Sequence, residues 1–355
     1  DVYKRQVLIL YVFAMISSLF AGGFVTRFGA WRTSQLALLL IGFSHLMFMG
    51  GSLLLIAIGS AILGWAYGMI TPPASHLLSK VATPKNRNLI FSIRFTGVPI
   101  GGVLAGILAP QLALEFGWRQ SMLFAILLAA ALCIAMQPFR DKWDTDKSID
   151  AALFRNPLND LKLVWQLTSL RWVALFGMCM GAVQTTLTTF TVTMLVEDIG
   201  YSLVLAGLGL SIIQFSSVFG RVGWGWFADK INNGPLALMF IALIAAICAL
   251  TTVILSSHWF PFLVYTLCFL FGIAGMGWNG VYASEIVRLS PKDEIGKTTG
   301  ASFFITFSGV FVGPLLFTSG YSIVDSYSVS FTLTAIIAIM AFFFVLKSQA
   351  KTKVN

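Results

Sequence analysis

Ionisable and amide side chains are scarce in the apolar stretches of this chain, and those present suit binding rather than bond-making. Arg94 stands a turn or two inside an apolar run. A charge at the centre of a bilayer costs roughly 2.5–3.5 kcal/mol on insertion scales. Such a residue either snorkels to the inner headgroups or presents its guanidinium to an anion. Gln214, Ser217 and Arg221 follow i, i+3, i+7 spacing and share one helix face. Arg221 reads as a bracing charge or a solute contact, and Gln214, which sits deeper, as the better pocket residue. Gln184, Thr188 and Thr191 share another face. Threonine hydroxyls can bond the carbonyls of the preceding turn, so this face either packs or lines a wet cavity. Trp278 and Tyr282 share a face with Asn279 alongside, an aromatic wall with a polar tip, and Tyr67 and Thr71 are similarly spaced. His45 lies in a greasy run and reads as a locally bonded structural histidine, although the residue type could shuttle a proton.

The absences narrow the chemistry further. Glu115, Glu197, Asp198 and Asp325 fall beyond the outer ends of the apolar runs, and the other acids lie at or beyond the inner ends. No mid-membrane carboxylate relay is therefore expected. There is no phosphate-cradling glycine loop, no His-Glu-x-x-His and no nucleophile–base set, which argues against ATP-driven transport and hydrolysis. Cys133, Cys179, Cys248 and Cys268 lack metal-like spacing and read as small packing residues. The sequence calls for no cofactor, no metal and no enzymatic activity.

The elements that must position these residues are membrane spans. The composition is 57% hydrophobic and 10% charged, against about a quarter charged in soluble domains. Eleven apolar runs cover residues 7–25, 33–50, 52–76, 89–112, 120–138, 170–196, 202–227, 235–256, 259–284, 299–320 and 327–346, each near the ~20 residues needed to cross a bilayer. The net charge of +9 could suggest a nucleic-acid partner, but its placement excludes one. With the residue 22–32 loop inside, all but three of the 23 Lys and Arg fall on the inner side or near inner helix ends, as the positive-inside rule requires. Two of the exceptions, Lys4 and Arg5, precede a full-length span. Eleven spans also leave the chain ends on opposite faces. Both features predict a further helix upstream, with residues 1–6 belonging to a fragment end.

Residues 139–168 mix both charge signs, including Asp141, Asp144, Asp146, Arg155 and Lys162, and read as a solvated inner linker. They divide the chain into an N-terminal half at 1–138 and a C-terminal half at 169–347, with a tail at 348–355. Two polar loops sit 203 residues apart. One reads Gly225-Trp226-Phe227-Ala228-Asp229-Lys230, the other Gly22-Gly23-Phe24-Val25-Thr26-Arg27-Phe28-Gly29. Aligning them pairs the first visible span with the eighth helix of a twelve-helix plan, so the visible helices count as second to twelfth. The third, sixth, ninth and twelfth are greasiest and suit lipid, whereas the fourth, fifth, seventh, eighth and tenth carry polar residues suited to protein or a watery cavity. Gly97, Gly101, Gly102, Gly106, Gly309 and Gly313 are expected to let backbones approach closely.

The two loops resemble the signature of the major facilitator superfamily, Gly-x-Leu-Ala-Asp-Arg-x-Gly-Arg-Arg. The first keeps Gly22, Arg27 and Gly29 but has Thr26 where the acid belongs. The second keeps Gly225, Ala228, Asp229 and Lys230 but has Asn232 for the second glycine. Gly220-Arg221 upstream and Gly117-Trp118-Arg119 add to the likeness, which spans about residues 7–347. The resemblance implies an all-α membrane protein of two pseudo-symmetric six-helix bundles working by rocker-switch alternating access. It further implies that Asp229, Lys230, Arg221, Gly225, Arg27, Gly22 and Gly29 serve gating, with the loop acid holding neighbouring inner helix ends and the second half bearing more of that work. Substrate contacts are expected from Arg94, Gln184, Thr188, Gln214, Trp278, Asn279, Tyr282, Tyr67 and Thr71. The function expected is secondary transport of a small metabolite, with an organic anion favoured by Arg94 and Arg221. It would be performed by a monomer in a bacterial inner membrane, with protons or a counter-anion as coupling partner. Proton-coupled efflux of amphipathic drugs and a non-transporting receptor or assembly partner are the alternatives.

Overall fold

The computed structural model describes residues 2–148, 150–153 and 156–352. Asp1 and Arg155, which the charge arguments invoke, lie outside the described residues. The described residues form helices and no strand, as expected for apolar chain whose backbone polar groups must be satisfied within each segment. In chain order these are α1 (Val2–Phe28), α2 (Ala30–Met49), α3 (Leu53–Gly68), α4 (Thr71–Val81), α5 (Arg87–Phe116), α6 (Trp118–Met136), α7 (Arg140–Trp143), α8 (Pro157–Gln166), α9 (Thr168–Glu197), α10 (Leu203–Lys230), α11 (Gly234–Thr251), α12 (Pro261–Gly275), α13 (Asn279–Leu289), α14 (Ile295–Val324) and α15 (Tyr327–Thr352).

Among the described residues ten helical segments are long and apolar enough to span a bilayer, with α3–α4 and α12–α13 each counting as one. The eleventh run, α2, is a full 20-residue helix whose Arg32, Gln35, Ser44 and His45 lower its hydropathy. Three of these groups find partners, with the Ser44 hydroxyl donating to Ile41 O at 2.7 Å. The Gln35 amide donates to Cys133 O at 2.9 Å, and His45 Nδ1 lies 2.8 Å from Ile41 O within its own helix. The expectation of a uniformly greasy third helix is thus corrected. Helix α2 buries Thr33, Gln35 and Ser44, while Leu39, Phe43 and Leu46 stay exposed. In α6, by contrast, Leu123, Phe124, Leu127, Leu128 and Leu132 are all exposed, which suits a lipid-facing helix.

Helix starts follow ordinary capping chemistry. Ser52 accepts from Leu55 N at 3.2 Å, Ser202 from Leu205 N at 3.4 Å, and Asn233 from Leu236 N at 3.0 Å, each satisfying an orphan amide. The turns before α2 and α11 both need a left-handed residue. Gly29 supplies it at φ +94° and Asn232, exactly 203 positions later, at φ +49°. Asparagine tolerates positive φ better than other non-glycine residues, so Asn232 can stand where the family has its second glycine, although it precedes the cap residue Asn233 of α11 whereas Gly29 is itself the cap residue of α2.

The chain forms two compact units. The first comprises residues 1–81, 101–164 and 290–304, and the second comprises 82–100, 165–289 and 305–355. Helices α5 and α14 therefore each begin in one unit and finish in the other. The glycine expectation divides between them. A Cβ at Gly313 would stand 2.7 Å from Ala182 Cα and one at Gly309 3.1 Å from Met178 Cα, so α14 packs on α9 through its glycines. Gly97, Gly101, Gly102 and Gly106 instead face open space, with no atom within 4 Å of where a Cβ would stand. Among the described residues, no neighbouring helix makes the close approach to α5 expected at these four glycines.

Candidate functional site

Each unit contains one interrupted span. In the first, α3 ends at Gly68 and α4 restarts at Thr71. Pro72 and Pro73 fill the first turn of α4, where their missing N–H groups cost nothing. In the second, α12 ends at Gly275 and α13 restarts at Asn279 after Met276-Gly277-Trp278. Unwound backbone at membrane depth frees carbonyls and amides, and discontinuous helices are where transporters build binding sites. The candidates Tyr67 and Thr71 flank the first interruption, and Trp278, Asn279 and Tyr282 lie at or just after the second. The breaks themselves have a sequence signal, Thr71-Pro72-Pro73 and the Gly272/Gly275/Gly277 series, that span counting passes over.

The second interruption is organised around Gln184 of α9. Its side-chain carbonyl accepts from Trp278 Nε1 at 3.1 Å and from Asn279 Nδ2 at 3.2 Å, and Asn279 Nδ2 also reaches Met276 O at 3.2 Å. Gln184 and Asn279 are only half-buried. With the Gln184 carbonyl doubly used, what remains to offer a solute is its NH2 donor, beside the Asn279 carbonyl. Trp278 and Tyr282 do not form the open aromatic wall expected of them. They are 2% and 0% exposed. Trp278 meets Phe176 edge-on with centroids 6.1 Å apart, and the Tyr282 hydroxyl lies 2.7 Å from Thr306 Oγ1. Periodicity correctly places both on one face, but that face packs between α9 and α14. Trp278 holds Gln184 from behind, and Tyr282 backs Trp278 with ring centroids 5.2 Å apart.

The remaining solute candidates differ in what they present. Thr188 is half-buried, and its hydroxyl bonds its own helix at Gln184 O and Thr185 O, both at 3.1 Å. Gln214 is exposed on α10. Tyr67 is 39% exposed and meets Tyr11 edge-on at 6.3 Å, and Thr71 is half-buried. Arg94 is half-buried two turns into α5, with its guanidinium carbon 4.3 Å from the Phe95 ring centroid.

The second signature loop clamps the start of α5. The Asp229 carboxylate accepts from Leu89 N at 2.8 Å, Asn88 N at 3.1 Å and Asn88 Nδ2 at 2.9 Å. It thus holds two orphan amides at the positive end of a 30-residue helix. A Cβ at Gly225 would stand 2.8 Å from Asn88 O and collide with the Ser92 side chain, so only glycine fits there. Arg221, 2% exposed, donates from Nη1 to Phe95 O at 2.7 Å and from Nε to Met276 O at 3.2 Å. It ties α10 to α5 and to the interruption after α12. Lys230 is exposed, its ammonium 4.7 Å from the Trp226 ring centroid.

The first loop is arranged differently. The Thr26 hydroxyl bonds Gly22 O at 2.9 Å within α1 and, among the described residues, reaches no neighbouring helix. Gly22 allows the start of α14 to approach, with Lys297 Cα 2.8 Å from where its Cβ would be. Carboxylates come instead from the linker. Asp144 accepts from Trp31 N at 2.8 Å and Arg32 N at 3.0 Å, capping α2, and it packs against Gly29. Ser148 N donates to Thr26 O at 2.8 Å, and Arg27 Nη1 to Ala151 O at 3.3 Å. Asp146 takes His76 Nε2 at 2.7 Å and Lys80 Nζ at 2.8 Å. Burial alone would raise the Asp146 carboxyl pKa. The hydrogen bonds from Lys80 and His76 and their charges outweigh it and hold that pKa below the ordinary carboxylate value. A linker read as simply solvated is here a strap across the first loop, which sequence spacing gave no means of seeing.

The sequence profile of the Major Facilitator Superfamily matches residues 6–314. A probable hexose phosphate transport protein of Chlamydia pneumoniae is 24% identical over 78% of the chain and 68% of its own length. A gentisate transporter of Corynebacterium glutamicum is 24% identical over 72% of the chain, which spans only 58% of that relative. The Escherichia coli fucose:proton symporter FucP superposes with a TM-score of 0.75 over 98% of this chain and 91% of its own, at 14% identity. That last likeness concerns the fold alone.

Proposed function

The chain belongs to the Major Facilitator Superfamily, a family of multi-pass membrane transporters, and from that premise we propose that it moves a small organic anion by alternating access. Arg94 carries the anion reading. It is a half-buried guanidinium inside the span Arg87–Phe116, where a charge requires a reason and where a planar fork of donors matches a carboxylate or phosphate. The two relatives named for hexose phosphate and gentisate handle solutes that are anionic at neutral pH. In the second unit Gln184 and Asn279 add uncharged donors and acceptors at the α12–α13 interruption, with Gln214 on α10, and in the first unit Tyr67 and Thr71 flank the α3–α4 interruption.

The moving parts are the halves at 1–138 and 169–347. Asp229 is the latch that holds the first turns of α5, with Arg221 and Gly225 securing the same contact and Lys230 flanking it. In the first half Arg27, Gly22 and Gly29 act with the linker strap rather than with an acid in the loop. The protein works as a monomer in a bacterial inner membrane, coupled to protons or a counter-anion. The test is uptake into proteoliposomes by wild type, Arg94→Lys and Arg94→Ala, comparing organic acids and sugar phosphates with neutral sugars. Anion uptake should fall at least tenfold in Arg94→Ala, with partial recovery in Arg94→Lys. Unchanged anion uptake in both variants overturns the anion reading.

A further inference from the structure

At one end of the second unit lies a cleft of about 390 Å³, lined by the start of α5 (Arg87, Asn88), the α10–α11 turn (Asn232, Asn233, Gly234), the end of α13 (Glu285, Arg288) and Gln349 of α15. This is within the range of small-molecule sites, about 300–1,000 Å³. None of the solute candidates lines it.

Its charges are unequally matched. Glu285 is 1% exposed, and its Oε2 takes both Arg288 Nε at 2.8 Å and Nη2 at 2.7 Å, so that pair is internally balanced. Arg87 is not. Its Nε donates to Ser284 Oγ at 3.1 Å. Among the described residues its two terminal nitrogens make no hydrogen bond and have no carboxylate within ion-pair distance. The lining therefore carries two guanidinium groups, Arg87 and Arg288, against the one carboxylate of Glu285, and Glu285 and Asp229 are near enough to attract the Arg87 charge without pairing with it directly. It also contains the N-terminal turn of α11, where Asn233 caps Leu236 N and Pro235 has no N–H, leaving the Gly234 amide as a further donor. The side-chain amides of Asn232, Asn233 and Gln349 add both donors and acceptors, with Gln349 Nε2 turned to Asn233 Oδ1 at 3.5 Å. A half-buried Arg fork beside a helix N-terminus favours a tetrahedral oxyanion.

We propose that this cleft is a second, non-transport site for a phosphate group, held by Arg87 and the start of α11. A phosphate there would join the first turn of α5 to α11 and α13, reinforcing the contact that Asp229 makes from the other side. The phosphate could be free or part of a lipid headgroup, and the same chemistry serves both.

The test measures thermal unfolding of the full chain, freed of phosphate, in two arms. One titrates inorganic phosphate into detergent-solubilised protein. The other compares nanodiscs with and without phosphatidic acid. A free-phosphate site gives stabilisation in the first arm, a headgroup site only in the second. In whichever arm responds, Arg87→Gln and Asn232→Asp should raise the half-maximal concentration at least tenfold. Asn232 is exposed, so the added carboxylate tests the site without disturbing the core. Arg87→Lys should recover part of the effect, and Arg94→Gln should leave it intact, separating this site from the proposed transport site. The proposal is overturned if neither arm shows stabilisation, if either cleft variant responds like wild type, or if Arg94→Gln abolishes the effect.

Discussion

Replacing Asp229 by Asn removes the charge at the latch and keeps its shape. The carboxylate accepts three hydrogen bonds, two of them from the first amides of α5 at 2.8 and 3.1 Å. Hydrogen bonds to charged groups contribute about 1.5–3 kcal/mol each, against about 0.5–1.5 for neutral ones. The asparagine carbonyl can still receive one amide, while its NH2 opposes the second donor. The loss of the charge from the helix N-terminus adds about 0.3–1 kcal/mol. A net weakening of about 1.5–3 kcal/mol corresponds to roughly a 10- to 150-fold shift in an equilibrium. The reporter is Ser92→Cys. Ser92 is fully buried, held between Gly225 and Gly280, so a thiol there reacts only when α5 leaves α10 and α13. Labelling at position 92, read by peptide mass, should accelerate at least tenfold when Asp229→Asn is added. It should change less than twofold with Thr26→Ala, whose hydroxyl bonds only its own helix. Equal labelling with and without Asp229→Asn, or equal acceleration by Thr26→Ala, refutes the assignment of the latch to the second loop.

Further expectations concern the surroundings of that latch. Gln184→Glu retains an acceptor for Trp278 and Asn279 but replaces the free NH2 with negative charge, so thermal stability should hold while organic-anion uptake falls at least tenfold. Unchanged uptake would remove Gln184 from the solute path. Tyr282→Phe deletes the bond to Thr306 in a sealed site and should cost about 0.5–1.5 kcal/mol, read as a lower melting temperature with solute affinity unchanged. A large affinity change would restore Tyr282 to the pocket. Because the Asp146 pKa is depressed in the folded chain, its contribution is fully present above the ordinary carboxylate range and is lost as pH falls through the lowered value. Proteolysis of the linker should therefore be slow at pH 5–8 and accelerate below about pH 4. Asp146→Asn should cleave faster at neutral pH and lose that dependence, and a pH response identical to wild type would contradict the strap.

The spans were legible because each apolar run approaches the ~20 residues a bilayer demands, and the paired loops because their glycines and charges interrupt such runs at a fixed offset. The positive φ at Asn232 hides behind a residue change, since asparagine there takes a backbone angle that the first loop gives to Gly29. What escaped reading was partnership. Asp229 binds a helix start 141 residues earlier in the chain, and Asp144 caps one 113 residues earlier, distances over which no periodicity operates. The aromatic face of α13 was identified, but spacing cannot say whether a face meets protein or an open cavity, and Trp278 and Tyr282 proved to meet Phe176 and Thr306. The glycines of α5 show the same limit in reverse, since small residues permit close approach without supplying a neighbour.

The central claim is that this chain transports a small organic anion, and flux measures it most directly. Purified protein in sealed proteoliposomes, without ATP, should accumulate labelled gentisate or a hexose phosphate against neutral sugar controls when an opposing proton or anion gradient is imposed. That uptake should depend on Arg94. Equal uptake of neutral and anionic solutes, or no flux of any solute under either gradient, would contradict the account.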